Sequence, residues 1–287
     1  MCIRDRVILN KQMIIQQHML EGLSNEQKIA IEKFTNRENI FLTGPAGTGK
    51  TYLIKRMYEI ACMNTSKKIA VCAMTGCASL LLQCNAKTLH SWSGIKLAKG
   101  TKEEVVRSVI HNKFALKSWK NTQILILDEV SMLSKKVFDI IEEIGRRVKH
   151  SDLTFGVMQV IFIGDFFQLP PLGSHSEPDT GKFCFESSIW NQVFSNENHI
   201  ELKTIFRQQD STYIDILQEI RKGEITQESI DLLSKYVKRN YDEYREKTPT
   251  KLFPNRVKAD LTNSTMYSKI NEEEIIYNID VMTNCIV

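Results

Sequence analysis

The chain has 287 residues, 25% of them charged and 42% hydrophobic, a composition typical of a globular protein with one large or two ordinary domains. A formal net charge of +4 permits an anionic partner without requiring one, so any nucleic-acid surface must be local. No stretch approaches the roughly 18 apolar residues that a membrane span needs, and we expect no membrane partner. No signal peptide is recognisable, which favours an intracellular protein.

The first residues, MCIRDR, join no pattern that follows and look like a peptide read through a sequencing adapter. We therefore expect residues 1–21 to be an N-terminal extension with a non-native start. A helix is predicted over 24–34, where Ser24 is a suitable N-cap and Gln27 completes a capping box. A glutamine just before a phosphate-binding loop can also bind an adenine edge, although the residues alone favour the cap.

The stretch NIFLTGPAGTGKT, residues 39–51, combines an apolar strand, the pattern G-x-x-x-x-G-K-[ST] and the start of an amphipathic helix. Glycines let successive backbone N–H groups face a phosphate chain, and the helix N-terminus adds positive potential. We predict a nucleotide-binding loop in which Lys50 contacts the β- and γ-phosphates and Thr51 is a ligand of Mg²⁺. The predicted cofactor-binding residues of this loop are Gly44, Pro45, Ala46, Gly47, Thr48, Gly49, Lys50 and Thr51.

The chain has seven cysteines and no C-x-x-C pair. Four of them are close in sequence, on elements that their neighbours predict to be buried helix and strand: Cys62, Cys72, Cys77 and Cys84. Reduced, buried thiols are therefore favoured over a zinc site.

A second apolar strand, QILILDE at 123–129, ends in two carboxylates. In doubly wound α/β domains ligands bind at that end of the strands. Asp128 is suited to hold Mg²⁺ through water, and Glu129 to polarise an attacking water. An apolar run followed by two acids is common by itself, but together with the upstream loop it is specific.

Polar side chains also follow two later strands. Gln168 comes after the strand QVIFI and before two prolines, and a neutral amide there can touch a γ-phosphate and report its loss. Arg207 follows a strand predicted over 200–205, and its planar guanidinium suits a γ-phosphate across a cleft. A further strand is predicted over 251–253.

The stretch KTLHSW, residues 87–92, suits phosphate contacts on a nucleic-acid strand, and Trp92 could stack on a base. The residues alone favour the other interpretation, in which His90 and Trp92 pack at a domain edge. Residues 94–120 interrupt the strand–helix rhythm, so we predict a small inserted subdomain there, with one helix over 102–116.

These motifs occur in a fixed order, and the set resembles superfamily 1B DNA helicases, more narrowly the Pif (petite integration frequency) family. The resemblance extends from about residue 22 to 270. The motifs that carry it are LSNEQ (23–27), GPAGTGKT (44–51), TGCA (75–78), TLHSW (88–92), LILDE (125–129), GDFFQLPP (164–171) and FRQ (206–208).

The resemblance implies an α/β, P-loop NTPase fold: a RecA-like parallel-sheet domain at 22–200, with the small insertion at about 94–120, followed by part of a second RecA-like domain at 201–287. It implies ATP and Mg²⁺ as cofactors, single-stranded and duplex or structured DNA as partners, and a monomer. The implied activity is 5′-to-3′ translocation on single-stranded DNA coupled to ATP hydrolysis, in DNA repair, recombination or telomere and genome maintenance.

The same resemblance assigns roles to individual residues. Gln27 would contact adenine, and Arg207 would reach the γ-phosphate from the second domain. The predicted catalytic residues are Lys50, Asp128, Glu129, Gln168 and Arg207. The predicted metal ligands are Thr51 and Asp128, and the predicted DNA contacts are Thr75, Thr88 and His90.

Members of the family continue to a glutamine–glycine–threonine segment and a YVALSR-like segment that supplies a second γ-phosphate arginine, and neither occurs before Val287. We therefore expect a fragment that binds ATP and hydrolyses it slowly, because an arginine finger is worth roughly 10³-fold or more in rate.

Other interpretations remain open. A RecD-like helicase shares most of these motifs, although FESSIW at 185–190 favours the Pif family. A P-loop ATPase that does no unwinding, or a module that holds DNA without turnover, would carry a similar phosphate loop. Single-stranded DNA should stimulate the ATPase activity of a helicase, and it should not stimulate a P-loop ATPase that acts without DNA. The sequence does not choose between nucleus, mitochondrion and viral replication site.

Overall fold

The computed structural model describes residues 20–63, 68–237 and 250–276, which divide between two compact units at Thr226–Gln227. Most of the predicted N-terminal extension therefore lies outside the described residues. The prediction that a second RecA-like domain starts at residue 201 stays a prediction.

The first unit is built on a parallel sheet whose described strands are ordered β3-β2-β4-β5-β1-β6. The strands are β1 (Ile40–Thr43), β2 (Ile69–Ala73), β3 (Lys87–Thr88), β4 (Ile124–Asp128), β5 (Gln159–Ile163) and β6 (His199–Glu201). All five neighbouring pairs run parallel. Parallel neighbours need crossover connections, and the intervening helices supply them.

The helices of the first unit are α1 (Asn25–Thr35), α2 (Lys50–Met63), α3 (Gly76–Leu82), α4 (Leu89–Ser93), α5 (Lys102–His111), α6 (Lys113–Asn121), α7 (Lys135–Lys149), α8 (Trp190–Val193) and α9 (Ser211–Lys222). Short 3₁₀ turns include Val130–Met132, Cys184–Glu186 and Asn196–Asn198. The second unit has α10 (Gln227–Ser234) and α11 (Arg256–Tyr267).

The central strands are apolar on both faces because helices cover the sheet on both sides. Leu125 and Leu127 of β4 join the core cluster that contains the buried residues of α7 and of the inserted helices. Ile124 and Ile126, which point the other way, join the cluster formed with α1 and α2. Burial on both faces is typical of parallel sheets and leaves the carboxyl edge of the strands for a site. The predicted α/β fold with a parallel sheet is confirmed.

The prediction of one helix over 102–116 is wrong, because two helices, α5 and α6, occupy the insertion. They meet at Asn112, whose side-chain oxygen accepts hydrogen bonds from the backbone N–H groups of Phe114 and Ala115. A side chain that caps the second helix ends the first one at the same point. Trp119, which is fully buried, anchors α6 by donating its indole N–H to the Ser93 carbonyl at 2.9 Å.

Two predicted strands differ from the structure. The strand predicted over 200–205 is β6, only three residues long, because its partner β1 ends at Thr43 where the phosphate loop turns away. Leu202 makes the last contact, donating its backbone N–H to the Thr43 carbonyl at 2.8 Å. Residues 251–253 form no strand, and no described segment pairs with them.

The predicted burial of four cysteines holds for two of them. Cys72 in β2 and Cys84 are buried, and burial raises the pKa of both thiols. Cys62, in the last turn of α2, and Cys77, in the first turn of α3, are exposed.

None of the described helices is both long and apolar enough to cross a bilayer.

We predict that Trp119→Ala destabilises the protein by about 3–5 kcal/mol, because it leaves a cavity beside Trp92 and deprives the Ser93 carbonyl of its donor. The free energy of unfolding, measured by urea titration, tests this. Phe114→Ala is the matched control: Phe114 lies on the same helix, is 87% exposed and should change stability by less than about 0.5 kcal/mol. Equal effects of both variants would contradict the anchoring role of Trp119.

Candidate active site

The loop between β1 and α2 turns tightly at glycines. Gly44, Gly47 and Gly49 have φ angles of 146°, 87° and 83°, which residues with a β-carbon rarely adopt. A β-carbon added at Gly44 would lie 2.5 Å from the Leu202 carbonyl oxygen, and one added at Gly49 would lie 2.7 Å from Gln27 Nε2. The loop therefore keeps this path only with glycine, and a glycine-rich turn before a helix is the kind of backbone that binds phosphates.

Gln27 braces the loop from α1. Its side-chain nitrogen donates to the Thr48 carbonyl at 3.1 Å, and its side-chain oxygen accepts from the backbone N–H of Ser24 at 3.1 Å. Ser24 Oγ accepts in turn from the Gln27 backbone N–H, so the predicted capping box is confirmed. Thr48 is fixed further by donating its hydroxyl to the Pro45 carbonyl at 2.9 Å. The contact of Gln27 with adenine stays a prediction.

Lys50 folds back over the loop that precedes it. Its ammonium donates to the carbonyls of Gly44 at 2.6 Å and Pro45 at 3.0 Å. Burial lowers the pKa of Lys50, while the nearby carboxylates of Asp165, Glu129 and Asp128 act in the opposite direction. This cation is therefore held by neutral acceptors, with acidic groups close but not paired with it.

Asp128 and Glu129 lie at the carboxyl end of β4, as predicted. Asp128 is 7% exposed and accepts a hydrogen bond from the Glu129 backbone N–H at 2.9 Å. Burial, followed by the charge of Glu129, raises the pKa of Asp128 to about 6. Glu129 has φ 59° and ψ 41°, a left-handed conformation that a residue with a β-carbon adopts only under constraint. Strain next to a buried acid at a strand end is typical of a functional site.

The residues at this edge fit a nucleotide with a divalent cation. Within the described part of the chain, neither Asp128 nor Glu129 forms an ion pair with a basic side chain. Unpaired carboxylates suit a hard cation such as Mg²⁺. Thr51 is exposed in the first turn of α2, directly after Lys50. Thr51 and Asp128 are the residues that would hold the metal, and the glycine turn with Lys50 would hold the phosphates.

Gln168 lies in the loop that follows β5, where it is exposed. Its backbone N–H donates to the Asp165 carbonyl at 2.8 Å, and its side-chain nitrogen approaches Asp165 Oδ2 at 3.4 Å. Asp165 itself is 1% exposed and receives two hydrogen bonds of 2.8 Å from the guanidinium of Arg221 in α9. The loop that carries the predicted γ-phosphate sensor is thus organised by a buried ion pair.

Arg207 lies beside the phosphate loop. A β-carbon added at Gly47 would approach that of Arg207 to 2.9 Å, and the preceding residue, Phe206, donates its backbone N–H to the Gly47 carbonyl at 2.8 Å. The arginine is exposed and belongs to the same compact unit as the loop. Its approach to a γ-phosphate from a second domain stays a prediction.

The predicted DNA contacts lie at the ends of neighbouring strands. Thr75 caps α3 by accepting from the Ala78 backbone N–H, and Thr88 caps α4 by accepting from the Ser91 backbone N–H. Since β2 and β3 are adjacent, both caps lie along one edge of the sheet. His90 follows on α4, and burial lowers its pKa.

The suggestion that Trp92 stacks on a base is wrong for this structure. Trp92 is only 8% exposed and packs against Trp119, with ring centroids 4.5 Å apart. The burial of Trp92 agrees with the alternative interpretation, in which this residue packs at a domain edge.

Comparison with known proteins decides the family. Residues 22–231 match the model of the family described as PIF1-like helicase. The chain belongs to the PIF1-like helicase family. The predicted resemblance is therefore confirmed, and the family match favours the Pif interpretation over the RecD-like one.

Curated relatives of this PIF1-like chain include helicases from yeast and bacteria. It is 37% identical over 228 residues to the ATP-dependent DNA helicase RRM3 of Saccharomyces cerevisiae, an alignment that covers 79% of this chain and 31% of RRM3. It is 31% identical over 260 residues to the ATP-dependent DNA helicase Pif1 of Bdellovibrio bacteriovorus, covering 90% of this chain and 56% of that protein. The chain thus spans about a third to just over half of the length of these relatives.

Solved structures of similar proteins confirm the RecA-like fold. The crystal structure of Pif1 helicase from Candida albicans has a TM-score of 0.80 at 32% identity, covering 89% of this chain and 56% of that one. A Bacteroides Pif1 helicase in complex with ADP-AlF3 and single-stranded DNA has a TM-score of 0.67 at 30% identity, covering 88% and 58% respectively.

Two charged residues near the phosphate loop, Asp165 and Arg221, are not predicted from the sequence to have a role. Asp165 offered a signal, since it follows a buried strand within GDFFQLPP just as Asp128 follows its own strand. Arg221 offered none, because a basic residue in the last turn of a helix is ordinary on dipole grounds. Only the folded chain brings together these two residues, which lie 56 positions apart.

The raised pKa of Asp128 predicts a stability effect. Its folded pKa of about 6 exceeds the unfolded value of about 3.9, so the folded state binds more protons between these pH values and loses stability as the pH rises through them. At about pH 7.5, without metal or nucleotide, Asp128→Asn should therefore be more stable than the wild type by about 1–3 kcal/mol. The difference should shrink as the pH falls from about 6 towards 4.

Urea unfolding of both proteins at several pH values measures this difference. Asp152→Asn, at an exposed aspartate, is the control and should stay within about 0.5 kcal/mol of the wild type. A wild-type protein as stable as Asp128→Asn at every pH would contradict an uncompensated buried carboxylate.

Proposed function

We propose that this chain is the ATPase portion of a DNA helicase, which binds ATP with Mg²⁺ and couples hydrolysis to 5′-to-3′ movement along single-stranded DNA. The observation that carries the proposal is the convergence of the glycine turn, Lys50, the Asp128–Glu129 pair and the Gln168 loop at one edge of a parallel sheet. The relatives are ATP-dependent DNA helicases, which supports helicase activity, and this site contains residues suited to ATP hydrolysis.

The proposed chemistry assigns one task to each side chain. Lys50 exchanges its two carbonyl acceptors for phosphate oxygens, which are stronger acceptors because they are charged. Glu129 accepts a proton from the attacking water. Gln168 and Arg207 direct an amide and a guanidinium at the transferred phosphoryl group. Mg²⁺, held by Thr51 and Asp128, would neutralise charge that develops on the phosphate oxygens.

We place the base of the nucleotide near the start of α1. A cavity of about 470 Å³ lies there, lined by residues 22–26 together with Thr204 and Phe206. Gln27, which the resemblance assigns to adenine, directly follows the lining residue Glu26 in sequence. The choice of adenine as the base rests on that resemblance.

The DNA is proposed to pass over the capped ends of α3 and α4, where Thr75, Thr88 and His90 would contact phosphates. Duplex or structured DNA would be the substrate that is unwound, and DNA repair, recombination or telomere and genome maintenance the setting. An intracellular monomer is the form we propose, with the second domain beginning near residue 201.

Nucleotide binding and turnover test the proposal directly. The wild-type chain should bind MgATP, and Lys50→Ala should weaken binding by more than about tenfold, because it removes charge-assisted hydrogen bonds to phosphate. Glu129→Gln should keep binding and lower turnover by about 10²- to 10⁴-fold. Calorimetry gives the affinities, and phosphate release with and without oligothymidine gives the rates.

Lys55→Ala is the matched control, since Lys55 lies on the same helix and its ammonium donates to the exposed Gln83. It should bind MgATP like the wild type. Turnover that oligothymidine does not stimulate would replace the helicase proposal with an ATP-driven module independent of DNA. No binding of MgATP by the wild type would refute the nucleotide site itself.

A separate prediction concerns DNA. Because burial lowers the pKa of His90, this imidazole is neutral at about pH 7 and would donate an uncharged hydrogen bond to a phosphate. His90→Ala should therefore weaken oligothymidine binding by about three- to tenfold without changing its salt dependence. Fluorescence anisotropy at several salt concentrations measures both quantities.

The control is His150→Asn, at the C-cap of α7 on the opposite edge of the sheet, where asparagine tolerates the left-handed backbone. It should bind DNA normally. Unchanged affinity of His90→Ala would remove this residue from the proposed DNA path.

A further inference from the structure

The pair formed by Asp165 and Arg221 has the geometry of a fixed clamp. Arg221 Nε and Nη2 each lie 2.8 Å from a different oxygen of the Asp165 carboxylate. The aspartate is 1% exposed, and the arginine side chain is 14% exposed. A bidentate contact of this kind fixes orientation as well as distance, because two donors of the planar guanidinium must align with two carboxylate oxygens at once.

The same carboxylate organises the loop that bears Gln168. Asp165 Oδ1 accepts from the Phe167 backbone N–H at 3.2 Å, and Asp165 Oδ2 faces the side-chain nitrogen of Gln168 at 3.4 Å. The guanidinium of Arg221 also covers the Phe167 ring, 4.3 Å from its centroid. Arg221 therefore fixes the Asp165 carboxylate. Together, the guanidinium and the carboxylate hold Phe167 and Gln168, the residue that carries the amide.

The ion pair also keeps the aspartate charged. Burial pushes the pKa of Asp165 upward, but hydrogen bonds, of which that from Arg221 is the largest, outweigh burial and hold this pKa below its ordinary value. The charges of Asp165 and Arg221 shift the pKa of Lys50 in opposite directions: Asp165 raises it and Arg221 lowers it. The clamp therefore belongs to the neighbourhood of the phosphate loop, although neither residue has a role in the chemistry assigned above.

We propose that Arg221 is a positioning residue for recognition of the γ-phosphate, acting through Asp165 to set where the amide of Gln168 lies. α9 is thereby connected to the sensor loop, so that discrimination between ATP and ADP depends on a helix that touches neither nucleotide. This inference rests on the proposed ATP site.

The affinities for MgADP and for a slowly hydrolysed ATP analogue, measured by calorimetry, test the proposal. Arg221→Gln should lower the preference for the triphosphate over the diphosphate by about tenfold, the effect of one misplaced hydrogen bond to a charged group, and should leave the MgADP affinity within about twofold. Arg221→Lys keeps the charge but loses the fork, and should restore the preference only in part.

Lys222→Gln is the matched control, because it removes the same charge from the neighbouring, exposed position of the same helix turn. It should bind both nucleotides like the wild type. If Arg221→Gln fails to fold, the double variant Asp165→Asn with Arg221→Gln replaces it, since it leaves no buried charge without a partner. This double variant should unfold like the wild type and still lack the preference.

The possible outcomes separate the two proposals. A variant with normal preference for the triphosphate, or one that loses affinity for both nucleotides equally, would overturn the positioning role. A wild type that binds MgADP without preferring the triphosphate would also overturn it, while leaving the nucleotide site intact. A wild type that binds neither nucleotide would overturn the proposed function, and this inference with it.

Discussion

The rest of the site depends on the space around the glycine turn. Two of its positive-φ glycines face the stretch that follows β6, Gly44 at Leu202 and Gly47 at Arg207, and Gly49 faces the side chain of Gln27 on α1. A β-carbon at any of them would come within 3 Å of its neighbour. The turn therefore packs against both α1 and the stretch that follows β6, and its lack of side chains is a packing requirement as much as a backbone one.

Charge in this site is assembled without being neutralised. Lys50 bonds to carbonyl oxygens although acidic groups are near enough to affect its pKa, and Asp128 is buried and accepts a hydrogen bond from the Glu129 backbone N–H. Burying a carboxylate in this way costs stability in the absence of a ligand. In the proposed function, Lys50 would face the phosphates and Asp128 the metal, which is the division of charge that a metal-bound nucleotide carries.

Most local features of this fold are predictable from the sequence, and its long-range contacts are not. The strands before Lys50 and Asp128 follow from their apolar runs, and the capping box from its spacing. The break at Asn112 was missed because helix periodicity continues through it while a side chain caps the next helix. The burial of Trp92 depends on a partner on α6, which no local pattern specifies.

The Asp165–Arg221 pair shows why such contacts matter beyond stability. Removing two charges from water offsets most of what their attraction contributes, so apolar side chains of similar volume would fill this space with equal or greater stability. An apolar contact is not directional, however, and it would leave the Phe167 N–H without its acceptor and the Gln168 amide free to rotate. What the ion pair adds is orientation. In its proposed role Gln168 would sense a single phosphate group, and that role needs orientation, because a hydrogen bond weakens steeply once its donor is misaligned.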